Sequence, residues 1–144
     1  MKVPSISLAR CLVAAGILAS SCGVTLAAEA EAPRETVLPA FAYPIANVKG
    51  KTITSLVVDY APGGKTPAHR HGRAFVVGYV LQGAIRSRLG NGNEQVFKAG
   101  ESWTEAPDAH HTLSENASDT EPAKLLAIFI ADTKAKDLFT VDKK

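Results

Sequence analysis

The stretch Gly63–Gly83, GGKTPAHRHGRAFVVGYVLQG, decides how the chain folds. It opens on a turn, because Ala61-Pro62-Gly63-Gly64 halts the β-branched run Thr52–Tyr60 (TITSLVVDY). It then carries two histidines one residue apart, His69-Arg70-His71, and a second apolar run, Ala74–Leu81 (AFVVGYVL), that Gly83 ends. Outward from there the same rhythm continues. Ala84–Leu89 alternates, with Arg86 and Arg88 on one face and Ile85, Ser87 and Leu89 on the other. Gly90-Asn91-Gly92-Asn93 turns that run back into Glu94–Lys98, which reads as a hairpin. Ser102–Glu105, His111–Ser114 and Lys124–Ala131 (KLLAIFIA) complete the set. Helical periodicity is weak throughout. Short strands separated by turns, roughly one every ten residues, predict an antiparallel sandwich or barrel.

Composition narrows the function classes. With 144 residues the chain suits one domain, and 46% hydrophobic against 21% charged residues is too apolar for a disordered segment. A formal charge of +2, scattered along the chain, provides no electrostatic footprint for nucleic acid. Eleven Gly and eight Pro break any long coiled coil. There is no nucleophile–base arrangement, Gly-rich phosphate loop or pair of catalytic carboxylates in the pattern.

The first 28 residues read as a secretory signal. Lys2 and Arg10 form a basic start, Cys11–Ala19 (CLVAAGILA) an apolar centre, and a small-residue tail leads to cleavage after Ala28 or Ala30. A membrane anchor needs about 20 apolar residues, more than this run holds. Lipid attachment at Cys22 lacks the large aliphatic residue expected three positions earlier. Cleavage removes Lys2, Arg10 and both cysteines, leaving fourteen basic residues against fourteen acidic ones and no thiol. The expectation is a secreted or periplasmic protein, free of the membrane once the signal is gone. Residues 29–44, rich in Ala, Glu and Pro, read as a loose lead-in, and residues 45–144 as the folded domain.

All four histidines lie in two clusters, His69/His71 and His110/His111. On an extended strand, residues i and i+2 point the same way, about 6.5–7 Å apart, so His69 and His71 can present two imidazoles to one point. Neighbours face opposite ways, so one member of the second pair can join them. Three convergent imidazoles form a facial site for a divalent transition metal such as Fe, Mn, Zn or Ni. Neutral imidazole is the ligating form, so ordinary histidines would release metal below about pH 6.5.

The spacing of these residues resembles the cupin superfamily. Gly63, five residues, His69-x-His71 and then Gly83 follow its first signature; sixteen residues separate Gly83 from Gly100, which leads to His111 as in its second. The resemblance covers roughly Ser55–Ala131 and implies an all-β, double-sheet jelly-roll barrel with metal held by His69, His71 and His111. It also implies a small-molecule substrate or ligand and a homodimer paired through edge strands. The chain departs from the pattern where Val76 replaces the glutamate of the first signature, and in the second, where Ala106 replaces the proline, Asp108 the glycine, and Asn116 comes one residue late. Losing that carboxylate leaves a neutral three-His site whose full metal charge favours anionic or chelating substrates. Gln82, Glu94 and Glu105 are candidates for a substitute oxygen, each more simply read as a surface residue.

Three-His sites in similar proteins include thiol and diketone dioxygenases, so the resemblance implies a metalloenzyme of dioxygenase type. The alternatives are a Lewis-acid isomerase or lyase, with Tyr79 or His110 as its base, and a binding protein without turnover. Tyr79 is the weak catalytic candidate, with a packed core position as its plainer reading. Arg86 and Arg88 can hold a carboxylate or simply face solvent. Phe75 and Trp103 are expected in the core or the pocket wall.

Overall fold

The computed structural model describes residues 34–143, which form strands and turns without a helix. The expected signal, Met1–Ala28, lies outside the described residues. In chain order the strands are β1 (Glu35–Pro44), β2 (Lys51–Tyr60), β3 (Lys65–Thr66), β4 (His69–Arg70), β5 (Phe75–Gln82), β6 (Ala84–Leu89), β7 (Gln95–Lys98), β8 (Ser102–Glu105), β9 (His110–Asn116), β10 (Ala123–Asp132) and β11 (Thr140–Val141). One sheet has the order β1-β2-β10-β5-β8, and the other β11-β4-β9-β6-β7 with β3 also pairing β9. Every pairing is antiparallel. This is the double-sheet jelly-roll barrel expected, and residues of both sheets line one cavity inside it.

The period-two pattern accounts for which side chains enter that interior. On β5, Val76, Gly78 and Val80 are buried while Phe75, Tyr79 and Leu81 are exposed; on β6, Ile85 and Ser87 are buried between the half-exposed Arg86 and Arg88. Gly78 is required here for space. A Cβ at this position would lie 2.5 Å from Cζ2 of Trp103, so the indole ring rests directly on the β5 backbone. Gly83 ends β5 at φ 69°, a conformation that costs glycine little.

Two expectations change. Glu35–Pro44 is a ten-residue strand paired with β2 rather than a loose lead-in, so the sheet begins before residue 45. Its prolines masked it: β1 is an edge strand, and its register shifts between Pro39 and Phe41, a position where a missing N–H is tolerated. Phe75, expected in the core or the pocket wall, stands on the outer face of β5, because it alternates with the buried Val76.

Candidate metal centre

β4 and β9 bring the histidines together. They pair with His69 opposite His111 and Arg70 opposite His110, so the two inward positions are both histidine. His71 follows β4 immediately and joins them from the same side. All three are buried, and each offers a ring nitrogen within 4.8 Å of the other two. His110 turns out and sets Nε2 2.7 Å from Asp142 Oδ2.

The hydrogen bonds fix which nitrogens are free. His69 Nδ1 lies 2.7 Å from the carbonyl oxygen of Pro67, and His71 Nδ1 lies 2.8 Å from that of Leu138. A carbonyl only accepts, so both Nδ1 atoms carry the proton and both Nε2 atoms carry a lone pair. Those two Nε2 atoms face each other at 3.0 Å. A cation between them resolves the clash of lone pairs. Protonation of one ring would also do so, but burial, followed by the charges of the neighbouring histidines, pulls His69 down to about 4 against the bond to Pro67, and burial lowers His71 as well. At neutral pH the donor set therefore fits a metal ion. The same shifts keep His69 neutral, and so able to ligate, well below the pH 6.5 at which ordinary histidines take up a proton, and act in the same direction on His71.

His111 differs in having both nitrogens engaged. Its Nδ1 lies 3.1 Å from Glu105 Oε1 and its Nε2 2.8 Å from Ser87 Oγ. Glu105, read from sequence as a surface residue, is 2% exposed. It shares a β8 face with the buried Trp103, whose indole N–H donates to Glu105 Oε1 at 3.1 Å. Burial alone would push the Glu105 carboxyl up; the His111 hydrogen bond and the charges of His111 and His71 outweigh it and hold the group below its ordinary value. The period-two relation to Trp103 was the signal available for placing Glu105 inside.

The other candidates lie elsewhere. Tyr79 is 39% exposed on the outer face of β5, away from the cavity, because it alternates with the inward Gly78 and Val80. Gln82 is exposed at the end of β5, and Glu94 pairs with Arg86 at 3.0 Å. Arg86 also bonds Glu115, and Arg88 bonds Thr112, so these two arginines are engaged outside the cavity.

The cavity that opens on the histidines has a volume of about 360 Å³. Val37, Leu56, Val58, Val76, Trp103, Leu125, Phe129, Leu138 and Phe139 form most of its wall, and no lysine or arginine among the described residues lines it. Its lining includes the carboxylates of Glu35 and Glu105. Phe139 lies over His69 with ring centroids 4.6 Å apart. Sequence reasoning also missed a row of hydroxyls in the wall. Tyr60 Oη lies 3.0 Å from Ser114 Oγ and 2.6 Å from Thr66 Oγ1, and Thr66 donates to Glu35. These residues come from β1, β2, β3 and β9, so their nearness depends on the pairing of distant strands.

Comparison with known proteins agrees with this fold. The chain is 26% identical over 98 residues to "Cupin-domain-containing oxidoreductase fogC" of Aspergillus ruber, an alignment covering 68% of this chain and 46% of that protein. It spans less than half the length of that curated relative. Recombinant oxalate oxidase solved in complex with glycolate superposes with a TM-score of 0.61 at 22% identity, over 76% of this chain and 56% of the other. KdgF from Halomonas sp. superposes with a TM-score of 0.57 at 17% identity, over 74% and 86%. At these identities the two structures establish the fold alone. The sequence model for the cupin domain matches residues 56–129, just over half of the chain and the stretch that carries all three inward histidines, and on that match the chain belongs to the cupin family.

Proposed function

We propose that this cupin is an exported metalloenzyme of dioxygenase type, holding one divalent metal ion on His69, His71 and His111. The observation that carries the reading is the pair of buried Nε2 lone pairs facing each other at 3.0 Å, with both Nδ1 protons committed to main-chain carbonyls. Such an ion supplies Lewis-acid polarisation and, as Fe(II), electrons for oxygen chemistry. The chain supplies the rest. Leu56, Val58, Trp103, Leu125 and Phe129 hold an apolar substrate body and keep water from the centre. The two carboxylates in the wall and the absence of a lining cation favour a neutral or chelating oxygen head over a dianion. The likeness to an oxidoreductase supports the redox class.

An isomerase or lyase finds less support, since Tyr79 and His110, the bases expected for it, both face away from the cavity. Export rests on the signal-like Met1–Ala28, and an intact mass beginning between Glu29 and Glu31 would support it. Pairing of two copies is supported by the exposed Leu38 and Tyr43 on edge strand β1, and sedimentation of the purified protein tests it.

Elemental analysis followed by oxygen-uptake assays tests the central reading. The Fe(II) form should consume oxygen with a thiol, diketone or catechol probe and the Zn(II) form should not, because zinc has no accessible redox change. Equal turnover with both metals would move the protein to Lewis-acid chemistry. Metal binding without turnover across the panel would make it a binding protein.

A further inference from the structure

Among the described residues, Glu105 Oε2 is the buried side-chain oxygen that has no hydrogen-bond partner. Its twin oxygen is engaged, accepting from Trp103 Nε1 at 3.1 Å and lying 3.1 Å from His111 Nδ1. A carboxylate buried with one oxygen unpaired is costly, and the contacts made to Oε1 leave Oε2 itself without a partner. The orphan does have a direction. It lies 3.7 Å from His71 Nε2, the same atom that faces the lone pair of His69 at 3.0 Å. Nitrogens and oxygens bound about 2.1 Å from a common ion lie about 3.0–3.5 Å from one another; the two Nε2 atoms stand at that separation and Glu105 Oε2 slightly beyond it.

We propose that Glu105 is a ligand of the metal centre, its Oε2 completing a three-His, one-carboxylate set from strand β8. This rests on the metal-centre reading given above. Register makes the placement stable: Glu105 is the direct cross-strand partner of Val76, and both line the cavity. Val76 occupies the place where the family's first signature carries glutamate. The carboxylate has moved one strand sideways, from β5 to β8, while still facing the histidines. A charged oxygen donor suits Fe(II) and Mn(II) better than a neutral imidazole set does.

The test is Glu105→Gln. Glutamine keeps an acceptor for Trp103 and His111, and its amide can donate to the His71 Nε2 lone pair. A ligand role therefore predicts opposite signs in two measurements. Mn(II) affinity, by chelator competition, should fall at least about tenfold, and Zn(II) affinity should fall less. The apo melting temperature should hold or rise. A residue that only positions His111 would keep its affinity in this variant, and Mn(II) binding within about threefold of wild type overturns the proposal. Wild type that binds neither metal sinks the metal-centre reading itself, and this inference with it. Should the variant fail to fold, the infrared difference spectrum of the native chain on Zn(II) loading decides. A shifted carboxylate stretch supports the ligand, and an unshifted one removes it.

Discussion

Two clusters of buried side chains divide the work of this barrel. Val58, Tyr60, Val80, Ile85, Trp103, Ala123 and Leu125, backed by Phe97, form the larger core. Ala74, Val76, Phe129 and Ala131, with Leu56, Ala127 and Leu138 against them, form a smaller one that wraps the histidines, Phe129 meeting His71 at a centroid distance of 5.1 Å. The larger cluster is almost wholly apolar, so its burial stabilises the fold. The smaller one sits beside three buried imidazoles and a buried carboxylate, groups that cost stability unless something binds them. Metal binding is thus drawn from other side chains than the larger core, although Val58, Trp103 and Leu125 of that core also line the cavity, and substitutions should separate the two.

The largest separation is expected at His71. His71→Ala should lower metal affinity by about 1,000-fold or more, about 4 kcal/mol, while the apo melting temperature moves little. Chelator competition and calorimetry on the same preparation measure both. A parallel loss of fold would mean that the smaller cluster carries structure after all.

Ile85→Ala should do the reverse. Ile85 is fully buried in the larger cluster, and truncation there should cost about 2–4 kcal/mol in denaturant unfolding. One metal ion per chain should still bind. Loss of metal in this variant would erase the division between the clusters.

The pH dependence gives the smallest of the three effects. His69 titrates at about 4 in the fold and at its ordinary 6.5 when unfolded, so between those values the unfolded chain holds more protons. The stability that neutral His69 contributes is present above pH 6.5 and lost as the pH falls through about 4. His71 and Glu105, both lowered, act in the same direction. Apo protein should lose on the order of 2–3 kcal/mol between pH 6.5 and 4. Metal should resist acid down to nearly the same pH. Release at pH 6 would show that the imidazoles are not desolvated.

Much of this was legible in the sequence, because alternation and turn chemistry are local. Strand β6 follows its sequence reading over Ile85–Arg88, Ile85 and Ser87 in, Arg86 and Arg88 out, and departs from it at the half-buried Leu89, where the register shifts. His69, His71 and His111 could be grouped from spacing, and strand alternation turns His110 away. What escaped is non-local. Glu35–Pro44 is a strand because β2 offers it an edge, a fact absent from its own Ala- and Pro-rich composition. Glu105 read more simply as a surface acid, although it falls in step with Trp103 on β8; its contact with His111 comes from another strand. Leu138 and Phe139 reach the histidines through the short β11–β4 pairing, which no pattern near residue 138 announces.

The carbonyls of Pro67 and Leu138 carry a consequence for how this site can vary over time. They choose the tautomer of His69 and His71, and a carbonyl is present whatever side chain a position bears. Where a site orients its ligands with aspartates or glutamines, each orienting group is one codon change from loss. Here that task belongs to the main chain, so mutation at residue 67 or 138 leaves the orienting oxygen in place as long as the path of the backbone survives. The walls of the cavity are then free to change from one descendant to the next, and with them the substrate, around a pair of imidazoles whose chemistry stays constant.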